Sequence, residues 1–264
     1  MKLFVESIAI LAPGLNGWAA AQPVLAGASP YEPVPLAPPT VDLLPAVERR
    51  RTGAMVKMAL AVGHAALSAA GRPLESVATV FTSSGGDGDV INDICVTLAG
   101  PDRQLSPTRF HNSVHNAPAG YWSIATHSHH PSTSLCGFDW SFPIGLLEAA
   151  AQVQVDRHEV LLVAFDTPYP FPLAQVRPLT DPFGTALVFA RERGQHTLAE
   201  LDIAMDATAQ AVTQMENGAL ERLRRGNPCA RALPLLAALA GTRPRRVTLQ
   251  RDAGQTLSIA VTPS

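Results

Sequence analysis

Pro131-Ser-Thr-Ser-Leu-Cys-Gly-Phe-Asp-Trp-Ser-Phe-Pro-Ile-Gly145, an apolar run after it, and then Glu159-Val-Leu-Leu-Val-Ala-Phe-Asp166 together decide the fold. The stretch reads as strand, sharp turn, helix over about 140–155, and strand. A turn that delivers a strand directly into a helix is where enzymes seat a nucleophile. The free N–H groups and the dipole of the helix N-terminus favour an anion there.

Working outward, residues 1–14 predict a buried first strand closed by a Pro-Gly turn. Glu6 interrupts the apolar run and only Lys2 supplies an early charge, which argues against a secretory leader. Residues 22–46 carry Pro23, Pro30, Pro33, Pro35, Pro38, Pro39 and Pro45 and read as an irregular surface segment. Leu43, Val47, Met55, Met58, Ala59, Val62, Ala66 and Leu67 then recur at helical spacing, predicting a helix over 42–71 that stops at Gly71. A strand over 77–81 runs into Thr82-Ser-Ser-Gly-Gly-Asp-Gly-Asp89, a tight strand-to-helix turn without the Lys-Ser/Thr ending of a phosphate loop. A helix over 90–98, a loop over 106–111 and a helix over 116–126 precede the central stretch. Beyond it come a loop at Pro168, Pro170 and Pro172, a strand over 185–191, helices over 206–225 and 230–240, and a hairpin pairing 246–250 with 257–261. Strands alternating with helices give an α/β class, a mixed sheet covered by helices.

The chain has 264 residues, 47% hydrophobic and 16% charged, with a formal net charge of −2. That supports a large core and gives no electrostatic reason for a nucleic-acid partner. Glu216, Glu221, Arg222, Arg224 and Arg225 mix both signs without interleaved aromatics and read as a solvated helix face. Cys95, Cys136 and Cys229 sit at no disulfide or metal spacing, so a reduced, cytoplasmic protein is expected. No apolar run reaches the roughly 18 residues of a membrane span.

The central stretch resembles the nucleophile elbow of the β-ketoacyl synthases, where Pro-Ser-x-Ser precedes the reactive Cys. Pro131, Ser132 and Ser134 match, and Asp139 stands where Cys is expected. His111-Asn-Ser-Val-His-Asn-Ala-Pro-Ala-Gly120 resembles the synthase segment ending in Asn-x-x-Ala-Gly, with Ser106-Pro107 fitting the step ahead of it. Arg49-Arg-Arg51 and Thr185-Ala-Leu-Val-Phe-Ala190 resemble an Arg-rich helix start and the strand that closes the first half of the synthase fold. The resemblance covers roughly residues 1–205. A full synthase has a second half bearing two catalytic histidines and a lysine, whereas no His follows His196 and no Lys follows Lys57 here. It therefore implies a thiolase-like fold with the N-terminal half retained, as mixed sheet and helices, and the second half severely shortened. Residues 1–205 are expected as a synthase-like N-terminal domain. Residues 206–264 are expected as a C-terminal remnant of helices and hairpin packed on it.

Phe110-His-Asn-Ser-Val-His-Asn-Ala-Pro-Ala-Gly-Tyr-Trp122 brings the likeness nearest to short chain length factors. These are ketosynthase-like subunits of bacterial type II polyketide systems that make aryl polyenes. The resemblance implies a non-catalytic subunit, without cofactor or metal, that pairs with a true β-ketoacyl synthase and shapes its acyl channel. Acyl carrier protein is met through that complex, and the chain deprived of its partner is expected to self-associate. Thr108, Arg109 and Phe110 match the segment that reaches into the partner's channel, with Phe110 capping the tunnel floor by bulk; a core Phe is the plainer reading. His111, His115 and Asn116 are expected at the subunit contact.

Asp139 has two readings, an N-cap of the helix or a mimic of a bound acid that assists decarboxylation. A carboxylate cannot replace the thiolate of a Claisen condensation. The alternative function is a stand-alone acyltransferase or decarboxylase on carrier-protein thioesters, using Cys136 or Asp139. Cys136 is otherwise expected as a buried thiol on the strand before the turn, and Cys95 and Cys229 receive the same reading. His127, His129 and His130 cluster without an accompanying Glu or Cys, so polar packing is favoured over metal binding.

Overall fold

The computed structural model describes every residue except Ala207, Ala209 and Ala253. The apolar N-terminus forms β1 (Lys2–Ala12), which turns into the short β2 (Leu15–Asn16). At this turn Gly14 has φ 69°, and a Cβ there would lie 2.0 Å from the Glu32 carbonyl oxygen, so glycine is required. Next come α1 (Trp18–Leu25), α2 (Ala46–Arg51), α3 (Ala54–Ala69), β3 (Ala78–Thr82), α4 (Gly88–Ala99), α5 (Pro107–Asn112) and α6 (Ala117–Thr126). The central stretch supplies β4 (Ser132–Leu135), α7 (Ser141–Ala151) and β5 (Val160–Asp166). The chain closes with α8 (Leu173–Val176), β6 (Phe183–Ala190), β7 (Ala199–Met205), α9 (Gly218–Gly226), α10 (Leu233–Ala240), β8 (Arg245–Gln250) and β9 (Thr256–Pro263).

All nine strands join one mixed sheet, ordered β4-β3-β5-β6-β1-β7-β9-β8, with β2 paired to β1. β3 runs parallel to both β4 and β5, and the other pairs are antiparallel. Side chains alternate between two apolar layers. Val160, Leu162 and Ala164 of β5 join Leu146 of α7 and Leu235 of α10 on one side; Leu161, Val163 and Phe165 join Leu60 of α3 and Trp122 of α6 on the other. Helices on both faces explain why β5 is buried along its whole length. Gly63 sets the distance between α3 and α6, since a Cβ there would meet Trp122 at 2.9 Å.

Glu6, the break in the first strand's apolar run, is a β-bulge. The pairing of β1 with β6 shifts between Val5 and Ser7. Leu3 and Val5 before it, and Ile8, Ile10 and Ala12 after it, therefore face the same layer despite the change of parity. The buried Glu6 carboxylate accepts hydrogen bonds from Arg72 Nε (3.1 Å) and Nη2 (2.8 Å), and Arg72 also pairs with Glu159 at 2.8 Å.

Four expectations are corrected. Helix α1 lies within the approach to the proline-rich segment, which was read as irregular from residue 22. The helix over 42–71 is two helices, broken at Thr52 and Gly53, where the backbone turns extended. The loop over 106–111 is mostly helical, because Pro107 suits the first helical position and Ser106 Oγ accepts from the Arg109 N–H. The helix over 206–225 begins only at Gly218. Asn217 Oδ1 accepts from the N–H groups of Ala219 (2.9 Å) and Leu220 (3.1 Å), which fixes the start there. Upstream, Thr213 N–H donates to Thr248 O at 2.9 Å, which ties this segment to β8 in place of a helix. Part of that expected helix, Ala207 and Ala209, lies outside the described residues, as does Ala253 in the hairpin turn.

Replacing Glu6 by Ala is expected to cost about 2 kcal/mol in urea unfolding. It strands part of the Arg72 charge, although Glu159 and partial exposure soften the loss. Arg49→Ala, which breaks an exposed pair with Asp42, is expected to change stability by about 0.5 kcal/mol or less.

Candidate functional site

The elbow forms where β4 ends the sheet. Cys136 and Gly137 leave the strand, residues Phe138–Trp140 make a 3-10 turn, and α7 starts at Ser141. Ser141 closes the turn. Gly137 N–H donates to its Oγ (3.1 Å), and the hydroxyl donates to Phe138 O (2.8 Å). Thr82 Oγ1 of β3 donates to Ser141 O at 2.9 Å, which fastens the turn to the neighbouring strand. Phe138 has φ 53°, a left-handed conformation that is strained for a bulky residue.

Asp139 is not an N-cap, since no side chain caps α7 or the 3-10 turn. Two guanidinium groups hold its carboxylate instead: Arg177 Nη1 lies 2.6 Å from Oδ1, and Arg231 Nη2 lies 3.4 Å from Oδ2. Arg177 also lies over the Phe138 ring, 3.6 Å from its centroid, a cation–π contact that offsets part of the backbone strain. Cys136 is exposed rather than buried, because it lies just beyond β4; its Sγ–H donates to Ser84 O at 3.2 Å. Cys95 is also exposed, on the weakly covered α4, and Cys229 alone of the three thiols is buried.

Beneath the elbow a buried carboxylate organises the glycine-rich turn. Asp166 Oδ1 accepts from Ser83 Oγ (2.9 Å), Ser84 N (2.8 Å) and Ser84 Oγ (3.0 Å). Burial raises its pKa above the ordinary value despite these donors. Burial, and then the nearby Asp166, push the Cys229 thiol well up. Asn227 Nδ2 donates to Asp166 O (3.4 Å) and Asp181 O (2.9 Å), while its Oδ1 accepts from the N–H groups of Cys229 and Ala230. The glycines make room for Tyr169: a Cβ on Gly85 would lie 2.1 Å from its hydroxyl oxygen, and one on Gly88 would lie 2.3 Å from its ring.

The residues expected at a subunit contact lie together. Phe110, His111 and Asn116 line a groove of about 470 Å³ with Val114 and Ile124. His115 and Asn116 line a second, of about 570 Å³, with Ser123 and with Ser132 and Ser134 on the edge strand β4. Phe110 is 66% exposed, which overturns its plainer reading as a core residue. Thr108 borders a further groove with His111 and Tyr121, and Arg109 pairs with Asp93 of α4 at 2.7 Å. His115 Nε2 also lies 3.1 Å from Ser83 O, which links this face to the glycine-rich turn. His127, His129 and His130 are exposed. Among the described residues, no group of three or more His, Cys, Asp or Glu is placed to hold a metal ion.

Sequence reasoning missed Asp166, Arg177 and Arg231. A lone carboxylate ending the all-apolar strand over 160–165 is the signal that could have flagged Asp166. No local pattern links either arginine to Asp139.

The model of the family "Beta-ketoacyl synthase, N-terminal domain" matches residues 21–251, and the chain belongs to that family. Its thiolase-like fold recurs in solved structures. One is a ketosynthase in complex with its chain length factor from Xenorhabdus doucetiae (ApeO and ApeC; TM-score 0.72, 24% identity, covering 98% of this chain and 99% of that chain). Another is a type II polyketide acyl-carrier protein in complex with its ketosynthase bound to the hexaketide (TM-score 0.72, 12% identity, 100% and 99%). A third is a ketosynthase from module 1 of the bacillaene synthase of Bacillus amyloliquefaciens FZB42 (TM-score 0.69, 10% identity), of which this chain covers 76% while matching along 100% of its own length. No curated protein matches in sequence. Among the described residues no helix is long and apolar enough to cross a membrane.

Asp166→Asn is expected to raise the melting temperature at pH 7.5 more than at pH 4. The raised folded-state pKa means the native state holds this proton more tightly than the unfolded chain. Wild-type stability therefore falls as pH rises from the unfolded value to the folded one, and the amide removes that loss. Thermal melts at the two pH values check it; an equal effect at both would contradict it.

Proposed function

We propose that this member of the β-ketoacyl synthase family is a non-catalytic chain length factor. It pairs with a true β-ketoacyl synthase and shapes the acyl channel in polyketide or fatty-acid-like synthesis, with aryl polyenes as the product class. The observation that carries this reading is Asp139, held between Arg177 and Arg231 at the elbow. Condensation needs a thiolate that accepts the acyl chain and later releases it. A carboxylate engaged by two cations is a poor nucleophile.

The surface supports a partner. β4 ends the sheet order, and among the described residues no strand pairs with its outer side. Thr79 N–H bonds Pro131 O and Ser83 N–H bonds Leu135 O, so by the alternation of a parallel ladder Ser132 and Ser134 direct their N–H groups outward. The exposed side chains of Phe110, Val114 and Ile124 stand beside this edge. An open strand edge flanked by apolar side chains is suited to burial against another subunit. Phe110 is the side chain placed to enter the partner's channel, with Thr108, Arg109, His111, His115 and Asn116 around it at the contact. The complexes with a synthase and with an acyl-carrier protein among the solved structures set the expectation of both partners, and the three cysteines without disulfide spacing set that of a cytoplasmic assembly. The same face would drive self-association of the chain alone. Residues 1–205 are taken as the synthase-like domain and 206–264 as the shortened second half, a reading supported by the lack of His and Lys in the latter.

The rival reading is a stand-alone acyltransferase or decarboxylase, favoured by the exposed thiol of Cys136 beside the elbow. Intact-mass analysis after incubation with acyl-loaded carrier protein separates the two. A stable acyl adduct on the chain alone would favour the rival.

Co-expression with a ketosynthase, followed by size-exclusion chromatography with light scattering, is expected to give a one-to-one complex that elongates chains only when both subunits are present. Ser134→Pro removes an outward N–H without breaking the ladder to β3, and is expected to abolish the complex while leaving the far-ultraviolet circular dichroism unchanged. Phe110→Ala is expected to shift products to longer chains. Robust condensation by this chain alone, or no complex at all, would sink the proposal.

A further inference from the structure

We infer that Arg177 and Arg231 form a binding site for the carboxylate of a small organic acid, with Asp139 as a built-in ligand that leaves the pair one positive charge in excess. The charge count is local. Arg224, the next arginine, is matched by Glu221 through two hydrogen bonds, Nε to Oε2 at 2.7 Å and Nη2 to Oε1 at 2.6 Å. Arg177 and Arg231 share the single carboxylate of Asp139. Both are largely covered, with 20% and 21% of their side chains exposed. Arg177 Nη2 is wholly buried and has no acceptor among the described residues. A buried donor without an acceptor is costly, and an oxyanion that drew the fork toward it would relieve that cost. Burial lowers the pKa of Arg231; Asp139 pushes it back up, while Arg224 and Arg177 add to the depression, so Asp139 leaves cation–cation repulsion in place.

The geometry selects the ligand. The Asp139 carboxylate sits close to Arg177 and at longer range from Arg231, so Arg231 is the less engaged cation. Asp139 is about one third exposed and the Phe138 ring about half exposed, which opens the pair to solvent on the elbow side. A guanidinium fork pairs two of its N–H groups with the two oxygens of a planar carboxylate. A monoanion balances the excess charge, whereas a phosphate dianion would overcompensate beside Asp139. The site stands whether or not the chain pairs with a synthase.

Thermal melts of the isolated protein in acetate, against chloride at matched ionic strength and against phosphate, test this. Acetate is expected to raise the melting temperature by about 2–4 °C over the chloride control at a concentration tenfold above its Kd, and to go on raising it with the logarithm of concentration. Arg231→Gln is expected to abolish that excess over chloride. Asp139→Asn is expected to bind acetate roughly tenfold more tightly, since the competing charge is gone. Should Arg231→Gln fail to fold, Arg231→Lys keeps the charge but not the fork, and is expected to bind more weakly than wild type. Line broadening of carbon-13 acetate by the wild-type protein gives a second readout. Coincident acetate and chloride curves, stronger binding of phosphate than acetate, or an undiminished acetate shift in the Arg231 variant would overturn the assignment.

Discussion

One buried carboxylate, Asp166 at the end of β5, holds together the parts from which the elbow is built. Its Oδ1 gathers Ser83 and Ser84, and the ordered turn then receives His115 from the α5–α6 face and Cys136 from the end of β4. Its backbone carbonyl takes Asn227, which anchors the segment that carries Arg231 to Asp139. Ser83–Ser84 and Asn227 bond this strand end directly, and His115 and Cys136 join it through the carbonyls of Ser83 and Ser84. An ionisable group in the sheet's interior is costly, which its raised pKa reflects, and the cost is offset by the donors it recruits. Three donors on Oδ1 fix the turn, while Oδ2 is buried with no partner among the described residues.

The elbow above it is a sharp strand-to-helix turn whose carboxylate, Asp139, is engaged by two guanidinium groups. Phe138 stays left-handed, Ser141 closes the turn, and α7 runs from it into the core. Asp139 is drawn sideways into an ion pair instead of toward the helix N–H groups. Two guanidiniums at short range outcompete the partial charge of a helix end, which is equivalent to about half an elementary charge.

The exposed face of α4 and α5 obeys a different constraint. Helices α4 and α5 bury little, and Val96, Leu98, Phe110 and Val114 are all exposed. Covering apolar surface of that kind stabilises an assembly. The same elements are tied to the core through Asn112, which donates to Arg51 O and accepts from Tyr121. A face anchored in this way is held in place by the core beneath it.

Much of the fold was legible in the chain. The apolar run over 160–165 announced a strand, the helical spacing over 42–71 announced α3 though as one helix with α2, and the alternating runs near the C-terminus announced the β8–β9 hairpin. These signals are local: periodicity and turn chemistry lie within a dozen residues. The helix over 107–112 had local signals in Ser106 and Pro107, whereas other misread segments were decided by partners distant in sequence. Residues 206–217 take their path from β8, and Cys136 owes its exposure to the place where β4 leaves the sheet edge.

By itself the sequence determined that a strand–turn–helix elbow exists, that Asp139 occupies it, and that Phe110 and His115 belong to one segment. Only the tertiary structure decided how Asp139 is paired, because Arg177 reaches it from the end of α8 and Arg231 from the 3-10 turn over Cys229–Ala232. Likewise only the fold brought Asp166 under Ser83 and Ser84, and set the α5–α6 face beside the open edge of β4. Electrostatic pairing and burial depend on distance in space, and distance in space is fixed by packing, which no local pattern encodes.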